Sequence, residues 1–287
     1  MKLFRGRAAS PAPEAVTPPR DDSGPVVVLV DDAHAGREVV EWAAAEAGAR
    51  QSELRIVHAF RWPQAVDRFG NATVEARARV TAERLIVSAE QVARRIVPDL
   101  RITLYACPGK AASAIAAVAR HDGGESLLVV GQAQRSSRTI RSLTRQLLRR
   151  TSGSVALIGL AGPETFGPSS GRVVVGVDED GGPVTALAFA FRATRRRGTG
   201  LTIVHARTRN GGDVGEAARL LQAAYPEVKV RWRIVAGPAD SAILAESVAA
   251  ALTVVGSRRG GRLRGSTAYT VQRLARGPVA VVGSRSS

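Results

Sequence analysis

Apolar residues along this chain gather into short, nearly unbroken runs, at 26–30, 54–59, 127–131, 155–159, 173–177, 201–206, 252–256 and 279–283. Between them lie Ala-, Arg- and Glu-rich stretches with apolar residues at helical spacing, such as 37–47, 74–96 and 111–120. Strands that are apolar on both faces predict burial between two helical layers, hence a parallel sheet rather than a half-exposed antiparallel one. Strands alternating with helices predict an open, doubly wound α/β architecture.

The pattern occurs twice. Residues 26–31 (VVVLVD) match 173–178 (VVVGVD), and 54–59 (LRIVHA) match 201–206 (LTIVHA), both at an offset of 147. The runs 127–131 and 155–159 reappear at 252–256 and 279–283, at offsets of 125 and 124, so the first copy carries the longer middle segment. Self-similarity in fixed order marks a duplication. The expected fold is two tandem, Rossmann-like, open doubly wound parallel-sheet domains of five strands each. Their expected bounds are 25–160 and 172–284, joined by a Gly/Pro/Ser-rich linker at 161–171. Residues 1–24, rich in proline and small residues, are expected to be a disordered tail.

Composition narrows the chemistry. The chain has 287 residues and a net charge of +16, carried almost wholly by arginine. One cysteine, Cys107, excludes a disulfide framework, and four scattered histidines give no zinc-hydrolase spacing. No apolar run approaches the ~18 residues of a membrane span, and no signal-peptide core precedes Arg5, so a soluble cytoplasmic protein is expected. The excess charge is uneven: 131–151 and 256–276 each hold six arginines and no acid. Basic segments beside the strand ends suit an anionic ligand, nucleic acid, or simply solvated helix faces.

In open α/β sheets, ligands sit beyond the carboxyl ends of the strands, where strand order reverses. Asp31 and Asp178 follow the first strand of each copy. A carboxylate there can accept a ribose hydroxyl, hold a metal, or cap the next helix, and all three readings stand at this point. After the fourth strand of the second copy, Gly256, Gly260 and Gly265 punctuate a loop that ends in Ser266-Thr267 before a helix at about 268–276. Glycines feeding a helix N-terminus let backbone N–H groups approach a phosphate. The loop lacks the Gly-Lys-Ser/Thr of a Walker sequence.

Together these features resemble the universal stress protein family in tandem form. The shared marks are a Val-rich strand ending in Asp and a second strand ending in His58-Ala59 or His205-Ala206. Gly109 or Gly237 follows the third strand, and the copies close on strands such as 278–282 (PVAVV). The resemblance implies adenine-nucleotide (ATP) binding by a non-enzymatic, stress-response protein. By position, Asp178 would face the ribose, and Ala206, Val255 and Gly256 would line the nucleoside. Gly260, Gly265, Ser266 and Thr267 would meet the phosphates. Two departures stand out: position 259 is Arg where the family has glycine, and the loop is four residues shorter. The first copy keeps Asp31 and Gly131, but counting back from its last strand puts Arg141-Ser142 where Gly265-Ser266 stands. That implies a weak or purely structural site, with the Arg141 guanidinium in place of the missing glycine.

The resemblance also implies pairing through the last strands, either between the two copies or between two chains. The alternative function is a nucleotide-independent scaffold acting through dimerisation and partner contact. A basic nucleic-acid-binding protein ranks below both, since no recognition motif accompanies the charge. No metal site is expected, and neither Ser-Gly-Gly-x-Asp-Ser nor His-x-Gly-His occurs. His58, His205 and Cys107 are expected to be packing residues.

Overall fold

The computed structural model describes residues 24–31, 36–60, 72–120, 125–132, 137–151, 153–159, 171–177, 183–206, 214–236, 238–257 and 267–283. The expected tail and linker fall outside these, apart from Gly24 and Gly171. In the first half the elements are β1 (Val26–Leu29), α1 (Arg37–Arg50), β2 (Leu54–Phe60), α2 (Ala72–Ile96), β3 (Ile102–Pro108), α3 (Ala111–Ala119), β4 (Leu127–Gly131), α4 (Ser137–Arg150) and β5 (Ser154–Ile158). The second half repeats them as β6 (Val173–Val177), α5 (Pro183–Arg197), β7 (Gly200–Ala206), α6 (Val214–Ala224), β8 (Lys229–Val235), α7 (Ala239–Ser247), β9 (Leu252–Ser257), α8 (Thr267–Leu274) and β10 (Val279–Gly283).

All ten strands form one sheet in the order β3-β2-β1-β4-β5-β10-β9-β6-β7-β8. Within each half every pairing is parallel, and strand order reverses at β1/β4 and at β6/β9. The halves join through one antiparallel pairing, β5 with β10, in which Ala156 lies opposite Ala280 and Val155 opposite Val281. The expected contact between last strands is therefore made inside the chain. Because it is antiparallel, the ligand edge of one half lies on the same side as the opposite edge of the other.

Burial on both faces explains the unbroken apolar runs. Val26, Val28 and Val30 face a core built with α1, α2, α5 and α6, while Val27 and Leu29 face a second core built with α3, α4, α7 and α8. Each core runs through both halves. Gly176 is where the second copy replaces Leu29 of the repeat, and a Cβ there would come within 2.3 Å of Ile243 Cδ1 on α7.

At the seam, α1 packs against α5. Glu46 is buried there among Arg50, Arg196 and Arg197: Arg50 Nε donates at 2.7 Å, Arg197 Nη2 donates to the other oxygen, and Arg196 Nη2 lies at 3.7 Å. Burial pushes the carboxyl up, but the combined pull of Arg197, Arg50 and Arg196 outweighs it and holds the pKa at about 2 instead of 4.5. Two rings complete the cluster. Arg50 lies over Phe189 of the other half at 5.6 Å, and Arg197 over Trp42 at 5.9 Å.

Candidate functional site

The carboxyl end of β1 is built by its neighbour. Val30 N–H donates to Val57 O at 2.9 Å, and His58 Nδ1–H donates to Val30 O at 2.7 Å. The buried imidazole thus satisfies the last carbonyl before Asp31, which stands exposed beyond the strand. Helix α1 starts at Arg37 behind Gly36, so Asp31 is not its N-cap residue. Replacing His58 with phenylalanine should leave that carbonyl without its donor and cost about 1 to 3 kcal/mol in urea unfolding. A change below 0.5 kcal/mol would show that the bond carries no weight.

Beside Asp31, β4 ends in Gly131, whose missing side chain matters: a Cβ would lie 3.0 Å from Val39 Cγ2 on α1. Gln132 N–H continues the ladder to Ile158 O at 2.8 Å. At β3, Gly109 takes φ +116° and donates its N–H to Phe60 O at 2.8 Å, a turn that an L side chain rarely adopts.

Ser142 lies within a helix. Helix α4 begins at Ser137, so Arg141 and Ser142 are in its second turn, and Ser142 Oγ accepts from Gln146 Nε2 at 3.2 Å. Arg141 reaches across to the other half. Its guanidinium lies over the Tyr269 ring of α8 at 5.1 Å, and Gln272 Nε2 donates to Thr144 Oγ1 at 3.3 Å beside it. Arg141 therefore tethers α4 to α8 across the two halves. The signal was present in the buried Ile140, Leu143 and Leu147, spaced as one helical face.

In the second half, the end of β6 is flanked by β9 and β7. Val255 is buried opposite Gly176, Gly256 is half-buried one residue further, and Ala206 ends β7 on the other side. With strands about 4.8 Å apart, these three residues surround the place where the chain leaves β6. Thr267 is exposed as the first residue of α8. Asp178, Gly260, Gly265 and Ser266, together with Gly237, lie outside the described residues.

The arginine-rich segments divide along their helices. Arg149 and Arg150 close α4, which at 1.5 Å per residue puts them about 20 Å from its start. Arg273 and Arg276 stand likewise at and beyond the last turn of α8. Helix length thus carries these four away from the ligand edge of their own half, to the side on which the ligand edge of the other half lies. Cys107 is half-buried, and burial pushes its thiol pKa up, away from reactive thiolate. Among the described residues no cluster of His, Cys, Asp or Glu could hold a metal, and no helix is long and apolar enough to cross a membrane.

Two copies of an open α/β unit, joined into one sheet and each with a glycine-bearing strand at its switch point, define a tandem α/β protein. The chain matches the model of the universal stress protein family over residues 23–159. It is similar along its length to universal stress protein Rv2623 of Mycobacterium tuberculosis, at 28% identity over 297 residues covering 89% of this chain and 95% of the relative. Rv2005c of the same organism is 28% identical over 309 residues, covering 92% and 98%. Among solved structures, a universal stress protein from Archaeoglobus fulgidus superposes with a TM-score of 0.67 at 18% identity, covering 90% of this chain and 98% of that one. That last likeness concerns the fold.

Proposed function

We propose that this chain is a universal stress protein, a non-catalytic, cytoplasmic regulatory protein that binds one adenine nucleotide, ATP, at the β6/β9 switch point. The supporting observation is the grouping of Ala206, Val255 and Gly256 around the end of β6, with α8 opening at Thr267. On this reading Asp178 holds the ribose, and Gly260, Gly265, Ser266 and Thr267 surround the phosphates at a helix N-terminus. The domains extend over 25–160 and 172–284.

The first half contributes structure rather than a second nucleotide. There Arg141 and Ser142 lie in the second turn of α4, and Arg141 is engaged with Tyr269. Asp31 and Gly131 keep their places at the edge without a glycine loop between β4 and α4.

Calorimetric titration with ATP should give one equivalent per chain, and Gly265→Trp should weaken binding at least tenfold. Two equivalents, or binding indifferent to that substitution, would overturn the assignment. Protein that purifies free of nucleotide and shows no thermal shift with ATP or ADP would favour the nucleotide-independent scaffold, in which the shared sheet itself is the functional unit.

A further inference from the structure

At the far end of the sheet, the two halves differ in a way the duplication makes visible. By register, Val230, Trp232 and Ile234 of β8 occupy the places of Ile102, Leu104 and Ala106 of β3, since they pair with Leu201, Ile203 and His205 as the latter do with Leu54, Ile56 and His58. Over β3 lies α2, 25 residues long and packed against that strand. In the second half its counterpart α6 has only 11 residues. Trp232 is left 41% exposed and Ile234 59% exposed, on the outermost strand of the sheet.

The other face of β8 is basic. Lys229, Arg231 and Arg233 alternate with the apolar residues, and one acid, Glu246 of α7, faces the two arginines: Arg231 bonds it directly and Arg233 Nε lies at 3.9 Å. Arg172 adds a further cation, donating to Lys229 O at 2.9 Å. Among the described residues no strand pairs with the outer edge of β8, which carries an apolar stripe towards the α6 side and a net positive stripe towards the α7 side.

We propose that β8 is a docking edge for an extended, acidic segment of a partner protein, which adds to the sheet as an eleventh strand. Main-chain ladder bonds would supply affinity, and the alternating stripes would select side chains. Residues of the partner that point to the α6 side meet Trp232 and Ile234 and are apolar, while those that point to the α7 side meet Arg231 and Arg233 and are acidic. Trp232, large and half in water, has the character of an interface anchor. Charge argues against a second copy of this chain as the occupant. Antiparallel pairing of β8 with itself about Trp232 would set Arg231 opposite Arg233 twice, and like charges directly opposite destabilise a sheet.

The proposal is independent of nucleotide binding and is tested on the full chain with a fluorescein-labelled nine-residue peptide of alternating glutamate and valine. Saturable one-to-one binding is expected, weakening with added salt, together with slowed amide exchange within Lys229–Val235. Trp232→Ser, at an exposed position, should retain the circular dichroism spectrum and lower affinity at least tenfold. A matching lysine–valine peptide should not bind. Equal binding of both peptides, no binding of the acidic one, or protection outside β8 would overturn the proposal. So would self-association of the peptide-free chain that Trp232→Ser abolishes.

Discussion

Replacing Glu46 with glutamine is expected to destabilise the chain by about 3 to 5 kcal/mol, the usual cost of removing one partner from a buried ion cluster. The carboxylate is the acid that Arg50, Arg196 and Arg197 share, and its loss leaves three guanidiniums in a buried setting with one centre of compensation gone. A loss of this size is a large part of the roughly 5 to 15 kcal/mol that holds a typical protein folded. The effect should appear as a lowered urea midpoint at pH 7. Adding Arg197→Met should recover part of it, because removing both members of a pair costs less than the sum of the single losses.

The same group predicts an acid limb. Its folded pKa, about 2, lies below the 4.5 of the unfolded chain. The unfolded state therefore takes up the proton first as pH falls. The stabilisation is complete above about 4.5 and lost as pH falls towards 2. A depression of that size corresponds to about 3 kcal/mol, which agrees with the mutational figure. Wild-type stability should fall across that window more steeply than that of Glu46→Gln. Parallel pH profiles, or a midpoint shift worth less than 1 kcal/mol, would show that the cluster does not carry the seam.

How much of this was legible beforehand depends on how local the cause is. Runs such as Val26–Leu29 and Val173–Val177 declare their fate because burial on both faces excludes polar residues, and a repeated order of such runs implies one topology twice. Glu46 declares nothing. It sits in an alanine-rich helix four residues from Arg50, an ordinary surface spacing, and its other partners are about 150 positions away until the seam brings α5 against α1. Arg141 declares as little, since its ring partner Tyr269 lies in the other half of the chain. The duplication aligns Val255, Gly256 and Ala206 with strand ends of the first copy, and the register puts all three around the end of β6. The exposure of Trp232 follows from the short α6, which the residues around it in sequence do not reveal.

The seam also sets the second large expectation, that Val281→Asp separates the halves. Val281 is fully buried and lies opposite Val155 in the antiparallel pairing of β10 with β5, the one strand contact between the halves among the described residues. Around it the second core supplies Leu157, Val271 and Val279, all apolar. A carboxylate placed among these side chains keeps its desolvation penalty, so the loss should exceed about 4 kcal/mol. Val281→Ala removes volume alone and should cost only about half as much. The informative reading is hydrogen exchange in the other half. Because β5 is bonded to β4 on one side and β10 on the other, opening the seam turns it into an edge strand, and amides of Val155–Leu157 should lose protection. Those of β2, three strands further in, should keep theirs. Protection lost equally at β2 and β5 would mean that the two halves unfold as one cooperative unit, and protection kept at both would mean that the seam does not depend on β10. The expected pattern, β5 released and β2 retained, would establish that one short antiparallel pairing between duplicated units turns two sheets into the single ten-stranded sheet.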